Sequence, residues 1–148
     1  VRGGAYPLAI SAFRADVEVT QRACALFVAL AEEGWTAGPI AEAVARRYLG
    51  PLFAGSQAPD TLLLGCTHFP ALIAPIRRVV GEGIRIVDSA ETTARATASR
   101  LAALQLARVD GIGSVRLLAT DGPERFARVG TIFSGESIAP DEVDLLDL

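Results

Sequence analysis

The chain has 148 residues, a formal net charge of −3 and 51% hydrophobic residues. This length accommodates one domain with a hydrophobic core or two small lobes, and the hydrophobic content excludes a disordered chain. The net charge gives no reason to expect a nucleic-acid-binding surface or a polybasic membrane patch, and the longest apolar run, residues 23–31, is too short to span a bilayer.

The sequence contains no methionine and no lysine. Without methionine, Val1 is not a translation start, so we expect a processed chain or part of a longer one. Without lysine, no Schiff base can form with pyridoxal phosphate. The two cysteines and one histidine match neither a disulfide framework nor a metal-binding spacing. No signal peptide is visible, so the cytoplasm is the expected location.

The first part of the chain is predicted to be mainly helical. The pattern predicts a short helix over residues 6–14 and a short strand over 17–20. Residues 22–33 predict a short helix or a turn, because apolar side chains lie on most faces and a glycine follows Glu32 and Glu33. Residues 39–53 repeat apolar positions with a helical period.

The rest of the chain alternates strands and helices. The apolar run at 61–65 predicts a strand covered on both faces. The expected elements after it are a helix at 70–80, a strand at 84–87, a helix at 90–107, a strand at 115–119, a helix at 123–129 and a mostly extended acidic tail after residue 134. Asp88 and Ser89 can cap the third of these helices, and the turn there is a candidate domain crossing. The alternation predicts an α/β fold, a parallel sheet with flanking helices.

Cys66, Thr67 and His68 directly follow the first apolar strand, where parallel sheets bind their ligands. A helix starting at residue 70 would present its N-terminus to Cys66 and stabilise a thiolate, and His68 could exchange protons with it. Thr67 offers a hydroxyl and a backbone N–H to a carboxylate. Each residue alone is more often inert, but together they indicate a site. Cys24, inside an apolar run, is instead predicted to be a buried small hydrophobe.

The segment Leu-Gly-Cys-Thr-His-Phe-Pro at 64–70 resembles the G-C-T-H-[YF]-P signature of glutamate racemases, in the cofactor-independent aspartate/glutamate racemase superfamily. Four other segments resemble family motifs in the same order. They are residues 4–6 (S-G-A-Y), 24–33 (C-P-L-x-V-P-L-V-E), 86–94 (I-D-S-[GA]-E-x-T-A) and 119–126 (T-[GD]-[DG]…F).

The resemblance implies cofactor-independent racemisation of glutamate for peptidoglycan precursors. One thiolate takes the α-proton, and a second thiol on the opposite face returns one. Cys66 matches the second catalytic cysteine, His68 the histidine that tunes it, and Thr67 a substrate-binding residue. Glu32 matches a glutamate that assists in some members, although its position alone equally predicts an exposed acid at a helix end.

The chain departs from the family because an Asp-Ser strand, an Asn-Thr-[AC] segment and the first catalytic cysteine have no counterpart. Cys24 matches a non-catalytic position. The resemblance therefore covers the C-terminal part of a racemase, with the two-lobe architecture present only in part. Residues 1–88 correspond to most of the second lobe and residues 89–148 to a segment that returns to the first. We expect this chain alone to be inactive by the two-thiol route.

Two other functions stay open at this point. One is an aspartate or hydantoin racemase-type isomerase, and the other is a truncated, non-catalytic homologue that acts as a binding module. The upstream sequence would distinguish an enzyme from a module. The expected partner is a small-molecule substrate, glutamate, rather than nucleic acid or a membrane. A homodimer is compatible with the resemblance, since family members are often dimers.

Overall fold

A computed structural model describes residues 3–147 of the chain. Helices and strands alternate over most of this range. They are α1 (Ala5–Phe13), α2 (Ala25–Glu32), α3 (Gly38–Phe53), β1 (Thr61–Leu64), α4 (Ile73–Val80), β2 (Arg85–Asp88), α5 (Ser89–Ala103), β3 (Leu117–Ala119), α6 (Pro123–Ser134) and β4 (Val143–Leu145). Short 3-10 helices at Phe69–Leu72 and Pro140–Glu142 precede α4 and β4.

The strands form two parallel pairs. β1 lies beside β2 with Thr61 opposite Arg85 and Leu64 opposite Asp88. β3 lies beside β4, with Leu117 opposite Val143. Parallel neighbours need a crossover connection, which α4 supplies for the first pair and α6 for the second. The predicted α/β class, with parallel strands and flanking helices, is confirmed.

A hydrophobic core joins α2, α3, α4 and β1. Phe27 of α2 is only 2% exposed, and its ring makes edge-to-face contacts with Tyr48 and Phe69 at centroid distances of 5.4 and 5.3 Å. Leu72 and Ile76 are fully buried. These contacts hold α2 against the segment that follows β1. The core therefore brings together two regions that lie far apart in the sequence.

Several predicted boundaries differ from the structure. Residues 17–20 form no strand, because their backbone has no strand partner among the described residues. The helix predicted at 90–107 ends at Ala103, where Gln105 takes a positive φ of 56°. The helix predicted at 123–129 continues to Ser134. Gly135 caps it with a φ of 73°, a conformation that glycine adopts readily. The extended tail contains β4.

The strand at β1 is also less covered than its sequence predicts. Leu64 is buried, but Leu63 is 41% exposed, so one face of the strand is open in the part of the chain that the structure describes. Helix α5 likewise has no buried residue among those described. Between residues 3 and 147, no helix is both long enough and apolar enough to cross a membrane.

Candidate active site

The turn after β1 begins with Gly65, which lies against the ring of Tyr6 in α1. A Cβ atom at Gly65 would stand 2.9 Å from the nearest ring carbon of Tyr6, closer than carbon atoms approach without a shift. The absence of a side chain at position 65 therefore lets α1 cover the end of the strand. Cys66 follows directly, half-buried and with a free thiol.

The Cys66 thiol lies beside the imidazole of His68. The distance from Cys66 Sγ to His68 Nδ1 is 3.8 Å. His68 is half-buried, and an edge of its ring faces Phe133 of α6 at a centroid distance of 6.2 Å. The structure thus places together the two residues that the sequence predicts as an acid/base pair.

Glu32, at the end of α2, contacts the opposite side of the same imidazole. Its Oε1 lies 2.7 Å from His68 Nε2. An ionised carboxylate can only accept a hydrogen bond, so Nε2 carries the proton and donates. In the neutral ring, Nδ1 then has a free lone pair facing the Cys66 thiol. This arrangement can accept the thiol proton and stabilise the resulting imidazolium.

Glu32 does end a helix, but the interpretation of it as an exposed acid is wrong. Its side chain is 22% exposed, and its second oxygen is also engaged. Arg125, near the start of α6, donates from Nε at 3.0 Å and from Nη2 at 2.8 Å to Glu32 Oε2. Arg125 lies within a family-like segment of the sequence, but the sequence alone indicates no role for it in the site. The two residues are 93 positions apart, so local pattern carries no signal for the pair.

These contacts keep Glu32 ionised. Hydrogen bonds from two residues lower the pKa of the Glu32 carboxyl from its ordinary value of 4.5. The larger effect comes from His68 and the smaller from Arg125. Since the folded-state pKa is depressed, the network stabilises the fold above about pH 4.5. That contribution is lost as the pH falls through the lower folded-state value.

Replacing Glu32 by glutamine is therefore expected to reduce the free energy of unfolding more at pH 7 than at pH 3. Urea unfolding of both proteins across this range measures the difference. Glu33→Gln, at the exposed neighbouring position, is the matched control and should change little. A difference between the unsubstituted protein and Glu32→Gln that stays constant with pH would contradict the ion-pair assignment.

The expected support from a helix N-terminus is weaker than the sequence predicts. Instead of a helix from residue 70, a four-residue 3-10 helix starts at Phe69, and α4 begins only at Ile73. The amide N–H of Phe69 donates to the Cys66 carbonyl oxygen at 3.2 Å. The side chain placed to manage the Cys66 proton is therefore His68 rather than a helix end.

Thr67 and Cys24 lie in different surroundings. Thr67 is exposed and lines an open groove with one side of α5, including Ser89 and Thr93. Cys24 is 7% exposed, and burial raises the pKa of its thiol. The prediction that Cys24 is a buried hydrophobe is confirmed. Among residues 3–147, no three His, Cys, Asp or Glu side chains converge to hold a metal ion.

Curated relatives match nearly the whole chain, whereas no family model matches it. It is 45% identical to a glutamate racemase of Geobacter metallireducens over 91% of this chain and 50% of that protein. It is 40% identical to a glutamate racemase of Syntrophus aciditrophicus over 93% of this chain and 51% of that protein. The chain thus spans about half the length of the curated relatives that it matches.

Solved structures agree with the sequence comparison. Glutamate racemase from Francisella tularensis, in complex with D-glutamate, has a TM-score of 0.84 and 27% identity, over 99% of this chain and 53% of that one. Glutamate racemase from Thermus thermophilus, in complex with β-chloro-D-alanine, has a TM-score of 0.79 and 35% identity, over 99% of this chain and 52% of that one. The chain therefore belongs to the glutamate racemase family, with the fold of about half a member.

Proposed function

We propose that this chain supplies one half of an active site that interconverts L- and D-glutamate. The observation that carries the proposal is the continuous line of contacts from Cys66 through His68 to Glu32. The relatives are named glutamate racemases, and one structural neighbour was solved with D-glutamate. Both support a small amino acid as the substrate.

In the proposed reaction, the Cys66 thiolate removes the α-proton from one enantiomer of glutamate and becomes a thiol. The electron pair left on Cα accepts a proton on the opposite face from a second thiol, which becomes a thiolate. In the reverse direction Cys66 is the donor. A thiol is a weak base toward a Cα–H group, so the pocket must stabilise the carbanion-like transition state.

The neighbours of Cys66 have distinct proposed roles. His68 Nδ1 exchanges a proton with the thiol, and Glu32 stabilises the charged imidazole from the other side. Thr67, exposed on the groove beside α5, binds a substrate carboxylate through its hydroxyl or backbone N–H. No cofactor has a part in this scheme, and the sequence has no lysine for a Schiff base.

The second thiol of this scheme does not come from this chain. Cys24 is buried, and the raised pKa of its thiol opposes thiolate formation. We infer that residues 1–88 form most of one racemase lobe and residues 89–148 part of the other. Strand β2 ends at Asp88, and helix α5, which follows directly, has no buried residue among those described. This change in burial supports that boundary. A homodimer, a cytoplasmic location and a role in peptidoglycan synthesis complete the proposal.

The chain alone is expected to form no measurable D-glutamate from L-glutamate, because one face of Cα has no proton donor. Chiral chromatography of the reaction mixture measures this, with a complete relative as the positive control. Turnover comparable to that relative, abolished by Cys66→Ser, would contradict the half-site proposal.

Aspartate and hydantoin racemase-type isomerases are the alternative within the superfamily. Relatives named glutamate racemase, covering about nine-tenths of the chain, favour glutamate. A non-catalytic binding module is the alternative outside enzymes. Such a module would bind glutamate, as measured by calorimetry, and Cys66→Ser would not weaken that binding. A longer protein that contains this chain would then show no racemase activity.

A further inference from the structure

Arg125 extends the contact line from Cys66 through His68 to Glu32 by one more residue, and it has no part in the proposed reaction. Its guanidinium donates two hydrogen bonds to Glu32 Oε2. The other oxygen, Oε1, is therefore free to accept the hydrogen bond from His68 Nε2. A glutamate side chain has three rotatable bonds, so a carboxylate held by His68 alone could rotate toward solvent. The two-donor contact fixes the carboxylate with Oε1 directed at Nε2.

The helix that carries Arg125 contacts the imidazole at a second point. Phe133 lies eight residues after Arg125 on α6, about 12 Å along the helix axis, and its ring faces that of His68 edge-on. Helix α6 thus contacts His68 directly through Phe133 and indirectly through Arg125 and Glu32. Both contacts act on the orientation of the imidazole rather than on the thiol.

Stability alone does not explain the Arg125 contact. The Arg125 side chain is 70% exposed, and ion pairs with exposed partners contribute little to folding. Its effect on the site is more specific, because it holds Glu32 ionised and directed at Nε2. A fixed acceptor at Nε2 selects the neutral tautomer whose Nδ1 lone pair faces Cys66.

We propose that Arg125 is a positioning residue, which acts through Glu32 to hold His68 in the tautomer that accepts the Cys66 proton. The inference rests on the proposed function, since it concerns the same thiol. It assigns to α6 a part in the chemistry of a cysteine that precedes Arg125 by 59 positions in the sequence.

His68 is the only histidine in the sequence, so ¹⁵N NMR of this chain reports one imidazole. We expect the Nε2–H tautomer to dominate in the unsubstituted protein and to lose that dominance in Arg125→Ala. The rate of Cys66 alkylation by iodoacetamide near neutral pH, followed by mass spectrometry, should fall about fivefold in the same variant. Arg125→Lys should recover part of both signals, because lysine keeps the charge but not the two-donor geometry.

Arg116→Ala is the matched control, since Arg116 is similarly exposed and pairs with Asp144 rather than with a residue of the contact line. It should leave the tautomer and the alkylation rate unchanged. If Arg125→Ala behaves like Arg116→Ala while His68→Ala slows alkylation, the inference is wrong and the proposed function stands. If His68→Ala also leaves the alkylation rate unchanged, the proposed proton exchange between Cys66 and His68 is itself wrong. A lower melting temperature with an unchanged tautomer would assign Arg125 a purely structural role.

Discussion

Racemisation in both directions is expected to fall by about 10³-fold or more when Cys66 becomes serine in a protein that contains both halves of the site. The serine hydroxyl is a far weaker acid than the thiol, so it neither forms the base nor returns the proton at useful rates. Both directions fail together because Cys66 is the base for one enantiomer and the acid for the other.

A chimaera provides the protein for this measurement. It joins the present chain to the half of a curated relative that the chain does not match, and circular dichroism verifies that each variant folds. Cys24→Ala is the matched control, since Cys24 is the other cysteine and is buried in the hydrophobic core. The control should keep most of the activity. Retained activity in Cys66→Ser would show that the cysteine assignment is wrong.

The largest expected effect on stability comes from Phe27→Ala. Phe27 is 2% exposed and contacts the rings of both Tyr48 and Phe69. Removing a buried phenylalanine costs about 3–5 kcal/mol, a large share of the stability of a typical domain. Because Phe27 joins α2 to the segment after β1, its loss should also loosen the contact between Glu32 and His68.

Urea unfolding of the chain measures this prediction, with Phe13→Ala as the control. Phe13 ends α1 and is 89% exposed, so its truncation should change the free energy of unfolding by less than about 0.5 kcal/mol. Equal effects of the two substitutions would mean that the aromatic cluster does not support the fold as described.

The local parts of the site follow from sequence alone. A run of apolar residues ending at Gly65 predicts β1, and any parallel strand delivers the next residues to a ligand-binding edge. The positions of Cys66, Thr67 and His68 at one strand end were therefore predictable. The order of strands and helices was predictable for the same reason, since each element has its own period and its own stop signal.

The long-range parts were not predictable from pattern. Glu32 and His68 are 36 positions apart, and core packing of α2 against the segment after β1, such as Phe27 against Phe69, brings them together. Arg125 reaches Glu32 across 93 positions, and no local period records that contact. The strand predicted at residues 17–20 does not form, because within residues 3–147 no neighbouring strand pairs with this strand-like segment.

The origin of the product's α-hydrogen tests the central claim most directly. The chimaera is incubated with L-glutamate in D₂O, and both enantiomers are separated early in the reaction for mass spectrometry. Two opposed thiols predict that the D-glutamate formed carries deuterium at Cα, while the remaining L-glutamate keeps protium. Protium carried over into D-glutamate, or racemisation that continues after Cys66→Ser, would contradict the account.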